Sequence, residues 1–366
     1  MNKQNTKKKI TFSYKITPRT LKTYEQKEVY FTIPRLVAYY DYNYNKITPA
    51  KRIKFFKSPT SDQYPIDLNA GFETCIRRKS DMYSLAIDLS LKYDMTSASE
   101  CDGLDSIEKI KVITRRGTLV HIMESYYIKT YDKLTIRVSR YNGNLYMLME
   151  ELYDPLNILK PVNTHHGQLE KLLFTDSPDK PPKINESYDA NIALYGVHRS
   201  NFGKYDIIYS GEIQGIDSNE EIKDFDDLDA INECRFVFGK QMWKSLKYND
   251  DKYLMFWLQS YLANVKDIYI GYKSCKGIIS EPIEYKNPRD LPKNRFWKPS
   301  ICTGFLYDFL QNVEKRMSSV NCLNTVYLFH YNWEEKIFSY EMFNGKSDKT
   351  FISKEYMEYC MKITKV

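Results

Sequence analysis

The chain lacks any apolar run approaching the roughly 18 residues that a membrane-spanning helix requires. Its N-terminus, MNKQNTKKK, has no apolar segment behind it of the kind a secretory leader carries. Both absences predict an intracellular protein, nuclear or cytoplasmic, that makes no membrane contact. The seven cysteines (Cys75, Cys101, Cys234, Cys275, Cys302, Cys322 and Cys360) are odd in number and form no CxxC pair, which argues against a disulfide framework and for reduced thiols. The five histidines also lack zinc spacing, since His165 and His166 are adjacent while His121, His198 and His330 are scattered. No Gly-rich phosphate loop, GxSxG elbow, HExxH helix or EF-hand loop occurs, so no short motif assigns a chemistry.

What is present is a globular composition. With 366 residues and 42% hydrophobic content the chain can bury a large core. The formal net charge of +7, from 54 Lys+Arg against 47 Asp+Glu, permits a polyanionic partner without demanding one. The 32 tyrosines serve strands and core first, and base stacking only where they are exposed. Residues 1–9 read as a solvated basic tail and 10–366 as one domain.

Local patterns point to mixed α and β structure. Leu134, Ile136 and Val138 alternate with polar residues ahead of Asn142-Gly143, predicting a hairpin over Lys133 to Met149. A second hairpin is expected from DIYIGYK through a turn at Ser274 to Gly277 into IISEPIEY, and a third from VYLFHYNW to KIFSYEMF. KYLMFWLQSYLANV, apolar nearly all round, predicts a buried helix, and SICTGFLYDFLQNVEKRM predicts another with Ser300 as its N-cap. The acidic stretch from Asp217 to Glu233 reads as a solvated loop, and Pro178, Pro181 and Pro182 mark a long connection.

Candidate chemistry is spread along the chain. In YDIIYSGEIQGID, Glu212 and Gln214 share one face of a strand, the relation in which metal nucleases place two carboxylates. Mg²⁺ favours an octahedron of oxygens at about 2.0–2.1 Å, and a neutral amide at Gln214 is a poor replacement for a carboxylate. Asp217 falls on the opposite face unless a bulge at Gly215 turns it. Lys252 and Gln259, seven apart, share a helix face, and a buried Gln259 needs hydrogen-bond partners. Arg115-Arg116-Gly117 ends an apolar strand, where an arginine either grips phosphate bidentately or is simply solvated.

Taken in order, these pieces resemble the decapping exoribonuclease (DXO) family. The most specific match is KYLMFWLQSYLANVKDIYIGYK, similar to the family's helix bearing Lys and Trp-x-Gln-Ser followed by a strand ending Gly-aromatic-basic, which gives Lys252, Gln259 and Lys273. TRRGTLVHIM is similar to the family's Arg-Gly-x-Leu, and IPRLVAYYDYN, IKFFKSP, YPIDLNAGF and NRFWKPSICTGFLYDFL match along the rest of the chain. The resemblance implies an α+β fold of two mixed, largely antiparallel β-sheets flanked by helices, related to the PD-(D/E)xK nucleases. It also implies RNA 5′ ends and RNA-processing proteins as partners.

The departures concern the metal site. Against the family's helix motif of Gly, three residues, then Glu, GVHRS offers Gly196 and Ser200. Against Glu-apolar-Asp it keeps Glu212 and substitutes Gln214, and against Glu-apolar-Lys it places Val237 and Gly239. A shifted register would use Glu233 and Arg235, with Lys240 just downstream. On the first register Glu212 is the one surviving metal ligand, which is insufficient, and no cofactor is expected. The resulting expectation is a pseudoenzyme that binds RNA 5′ ends or an RNA-processing partner, with Arg116, Lys252 and Gln259 facing phosphate. The alternatives are an active Mg²⁺- or Mn²⁺-dependent decapping nuclease or 5′-3′ exoribonuclease acting on incompletely or nicotinamide-capped RNA, and a pure protein-interaction module.

Overall fold

The computed structural model describes residues 8–11, 17–44, 46–76, 82–97, 109–128, 133–150, 161–182 and 188–363. Strands of the first half are β1 (Lys8–Thr11), β2 (Arg35–Asn43), β3 (Lys46–Pro49), β4 (Phe55–Phe56), β5 (Ile66–Asp67), β6 (Ile110–Arg115), β7 (Lys133–Tyr141), β8 (Asn144–Met149) and β9 (Phe174–Thr175). The second half adds β10 (Ile192–Phe202), β11 (Tyr205–Ile213), β12 (Gly215–Asp217), β13 (Arg235–Trp243), β14 (Asp267–Lys273), β15 (Ile278–Ile279), β16 (Glu284–Lys286), β17 (Cys322–Asn332) and β18 (Ile337–Phe343). The helices are α1 (Pro18–Lys27), α2 (Met82–Ser97), α3 (Arg116–Glu124), α4 (Pro161–Leu173), α5 (Leu228–Glu233), α6 (Asp250–Tyr261), α7 (Pro299–Arg316) and α8 (Lys354–Ile363).

Ten strands form one sheet in the order β1-β18-β17-β7-β8-β6-β11-β10-β2-β3. The second sheet runs β5-β15-β14-β13-β12-β4-β9, with β16 also pairing β14. Pairs β6·β11, β6·β8, β4·β12 and β13·β14 are parallel and the rest antiparallel, so both sheets are mixed and largely antiparallel, as expected. The chain passes from the first sheet to the second at one residue, Gln214, between β11 and β12. Asp217 thus ends a strand of the other sheet, is exposed, and lies opposite Arg235.

The three expected hairpins form. Asn142 (φ 47°) and Gly143 (φ 78°) both take the left-handed conformation that a two-residue turn between β7 and β8 requires. The second hairpin differs: β14 returns only through Ile278–Ile279, and β16 then pairs back onto β14. Helix α6 is buried along Leu254, Phe256, Trp257 and Leu258, each such side chain contributing about 1.5–3 kcal/mol. Its N-cap, Asn249, accepts the Lys252 backbone N–H at 2.9 Å.

Four expectations need correction. Ser300 is not the cap of α7; the helix starts at Pro299 with Lys298 as N-cap, because proline at the first position forfeits only an N–H that would be unpaired there. The acidic stretch is not loop throughout, since it ends in α5, where Asp227 accepts the Ala230 N–H at 2.9 Å. Gly196–Ser200 is not helical but part of β10. Lys8 and Lys9, read as tail, belong to β1 and pair with Met342 and Glu341 of β18. Residues 1–7 of that tail, and Cys101, lie outside the described residues.

The main apolar core draws from both sheets and from α3, α6 and α7, with Ile136, Tyr209, Ile216, Phe238, Ile268, Leu258 and Phe305 among its buried members. Because this core is shared, the polar cleft at the sheet junction is set against a packed wall.

Candidate functional site

A cleft of about 250 Å³ opens where α3 and α6 meet β11, lined among others by Arg116, Gly117, His121, Tyr195, Glu212 and Gln259. Arg116 begins α3 immediately after β6 ends, so it is not the end of a strand, and it lines the cleft half-buried. Its Nη2 donates to the Glu212 carbonyl at 2.8 Å, and its guanidinium lies 5.4 Å from the Phe238 ring. A Cβ on Gly211 would fall 2.7 Å from the Arg116 guanidinium carbon, so glycine there lets the arginine lie across β11. The Arg116 Nη1 is buried without a hydrogen-bond partner, which leaves its N–H donors unsatisfied within the protein.

Lys240 is the second cation. Its Nζ donates to Gln259 Oε1 at 2.7 Å and lies 4.3 Å from the Phe238 ring. Burial, reinforced by Arg116, pulls its pKa down to about 7 against the opposing pull of Glu212 and Glu170. Burial likewise lowers the Arg116 pKa, against the Glu212 charge. The Glu212 carboxylate makes no hydrogen bond among the described residues, and it interacts electrostatically with Arg116, Lys240 and His166.

Behind Gln214 lies an ion pair that sequence reasoning missed. Lys54 Nζ and Glu170 Oε1 are 2.7 Å apart, and both side chains are largely buried. Burial opposes ionisation of Glu170, but Lys54 and His166 outweigh it and hold the carboxyl below its ordinary range. Burial, then Lys240, lowers the His166 pKa, against the pull of Glu170 and Glu212. Gln214 ties this pair to the sheet: its Oε1 accepts the Gly239 N–H at 2.8 Å, and its Nε2 makes longer 3.4 Å contacts with Glu170 Oε2 and His166 Nε2. His166 and Glu170 are four apart on α4, so HHGQLEKLL carried the signal as an i,i+4 pair. A second cavity of about 270 Å³ touches Glu212 from this side and is lined by Arg52, Lys54 and Glu170.

The structure brings together Arg116, Glu212, Gln214 and Gln259, and leaves the other sequence candidates outside. Val237 packs with Leu169, Leu173 and Phe174, and a Cβ on Gly239 would meet Leu173, so both face α4. Their neighbours Phe238 and Lys240 instead meet Arg116 and Gln259 of the cleft lining, one residue out of the expected register. The alternative register fails too, since Glu233 ends α5 and the exposed Arg235 is bound to Asp267. Ser200 lies five residues along β10 from Tyr195, the residue opposite Glu212, and its hydroxyl donates to the Thr32 carbonyl at 2.6 Å. The carboxylate-bearing helix at this site is α4, not the Gly196–Ser200 segment. Lys252 is exposed at the start of α6 and does not line the cleft. Lys273 is buried with its Nζ 2.7 Å from His165 Nδ1, away from the cleft lining.

Among the described residues, no group of three or more His, Cys, Asp or Glu is placed to hold a metal ion. No helix among them is long and apolar enough to cross a membrane.

Two mixed sheets sharing one core, with a strand-borne glutamate and lysine at their junction, form a nuclease-type architecture. The model of the RAI1-like PD-(D/E)XK nuclease family matches residues 32–357, and the chain belongs to that family. The decapping and exoribonuclease protein Rai1 of Drosophila melanogaster is 26% identical over 280 residues, covering 70% of this chain and 72% of its own. The fold superposes on Scheffersomyces stipitis Rai1 in complex with (3′-NADP)+ and calcium at a TM-score of 0.71 and 12% identity, covering 99% of each chain. Candida albicans Rai1, crystallised with pU5 and Mn²⁺, gives a TM-score of 0.69 at 16% identity, covering 98% of this chain and 100% of its own.

Proposed function

We propose that this protein is a decapping-nuclease pseudoenzyme whose cleft holds an RNA 5′-terminal phosphate with its own cations in place of a divalent ion. The observation that carries this reading is the state of the donor set. Glu212 is open, Glu170 is neutralised by Lys54, and the Gln214 carbonyl is committed to the Gly239 N–H. Arg116 and Lys240 add positive charge where a resident ion would add two units more. Such a set does not fit a divalent metal, so no hydrolytic step is assigned to one. Arg116 Nη1, the orphan donor, suits a phosphate oxygen, and charge-assisted bonds of this kind are about twice as strong as neutral ones.

RNA contact is supported by the pU5 complex of the Candida relative. The rival reading, an active metal-dependent decapping enzyme, draws on the nearness of Glu170 and Glu212 to Gln214. To separate them, 5′-labelled triphosphate, guanosine-capped and nicotinamide-capped RNAs are incubated with the protein in Mg²⁺ or Mn²⁺, beside Glu212→Ala. The pseudoenzyme yields no product, whereas product that Glu212→Ala abolishes establishes the enzyme. Absence of salt-sensitive RNA affinity would point instead to an interaction module.

A further inference from the structure

A cavity of about 390 Å³ lies apart from the cleft and shares no lining residue with it. It sits at the far end of α6, between the segment Phe31–Pro34, the start of β13 and the turn after β16. Helix α6 thus turns Gln259 into the cleft and presents Trp257 and Tyr261 here. No part of the nuclease reading uses this cavity.

Three cations line it: Arg235, Lys266 and Arg289. Arg235 is paired with Asp267, but Lys266 reaches only the neutral Asn264 Oδ1 at 2.7 Å. Neither Lys266 nor Arg289 has a carboxylate partner in hydrogen-bonding range among the described residues. Arg289 and Arg235 lie close enough to depress the Lys266 pKa, beyond the effect of burial, and Glu233 opposes this only in part. An anion would relieve that crowding of like charge. The floor adds the Ser260 hydroxyl, fully buried and without a hydrogen-bond partner.

The lining is also apolar and aromatic. Trp257 and Tyr261 stack with centroids 5.1 Å apart, Pro34 and Pro288 flank them, and Ile33 stands 71% exposed at the rim. A lining that carries both cations and flat apolar surface suits a ligand with an anionic end and a planar ring. The volume falls within the usual range of small-ligand sites, about 300–1,000 Å³.

We infer that this cavity is a second ligand site, for a mononucleotide-sized phosphate monoester, with Lys266 and Arg289 taking the phosphate and the Ile33–Pro34 and Trp257–Tyr261 walls taking the ring. The test is titration calorimetry of the full chain with AMP, adenosine and inorganic phosphate, repeated on Lys266→Ala/Arg289→Ala and on Arg116→Met, whose cation lies in the other cleft. AMP should bind more tightly than phosphate or adenosine, the double variant should lose at least ten-fold in AMP affinity, and Arg116→Met should leave this site unchanged. Ile33→Trp, altered only at the exposed rim, should weaken AMP more than phosphate and guards against misfolding of the double variant. Equal affinity for AMP and phosphate, no AMP binding at millimolar concentration, or AMP binding lost in Arg116→Met and kept in the double variant would each overturn the assignment.

Discussion

Two buried polar networks in this molecule are built from similar parts and end differently. Under α2 and α8, Asp94 accepts Lys111 Nζ at 2.9 Å and the Tyr356 hydroxyl at 2.6 Å, and Tyr356 meets the Tyr146 hydroxyl at 3.1 Å. Both Asp94 carboxylate oxygens are satisfied inside the protein. In the cleft, Arg116 keeps an orphan donor and the Glu212 carboxylate has no hydrogen bond among the described residues. A network that closes on itself stabilises a fold, whereas one left open is positioned to receive something else.

The contrast can be broken most forcefully by mutation of Asp94. Asp94→Ala strands Lys111 in a partly buried position and should cost about 3–5 kcal/mol in chemical denaturation. Arg116→Met should cost less than about 1 kcal/mol, because the desolvated cation it removes makes one hydrogen bond to a backbone carbonyl and leaves Nη1 unpaired. Equal destabilisation by both would dissolve the distinction. Conversely, Arg116→Met should weaken binding of 5′-phosphorylated RNA ten-fold or more and flatten its salt dependence, while Tyr356→Phe leaves both unchanged in a filter-binding assay. Tyr356→Phe should lower stability by about 1.5–3 kcal/mol, the worth of a hydrogen bond to a charged acceptor.

The smallest effect is on pH dependence. Burial, then Lys273, depresses the His165 pKa from 6.5 to about 4. Between those values the unfolded chain binds a proton that the folded chain refuses, so stability present at pH 7 erodes as pH falls from about 6.5 to about 4. Replacing His165 by Gln should remove part of that slope in denaturation midpoints. His198, held at about 3 by burial and Arg116, accounts for a remainder.

Much of the cleft was legible because each signal was local. Glu212 and Gln214 announced themselves by strand spacing and Gln259 as a polar residue in an apolar helix, as Asn142-Gly143 did for the β7–β8 hairpin by its turn chemistry. The β13 register was not legible, and the reason is burial on both faces: Phe236, Val237, Phe238 and Gly239 are all buried, so alternation carries no sign of which face meets the cleft. Lys54 sits in a short segment whose meaning comes only from Glu170, 116 positions away. The His166–Glu170 pair has a visible helical spacing, but adjacent His165 and His166 test for a zinc pattern and say nothing of a partner four residues on. Three-dimensional pairing, rather than any one residue type, decides that the second carboxylate of this site is neutralised by an ammonium group.

The central claim is that the cleft's own cations have displaced a divalent ion, and Mn²⁺ binding tests it most directly. Titration of the protein with Mn²⁺, followed by electron paramagnetic resonance, should show no saturable site up to millimolar concentration and no difference between wild type and Glu212→Ala. A single stoichiometric Mn²⁺ site that disappears in Glu212→Ala would contradict the account.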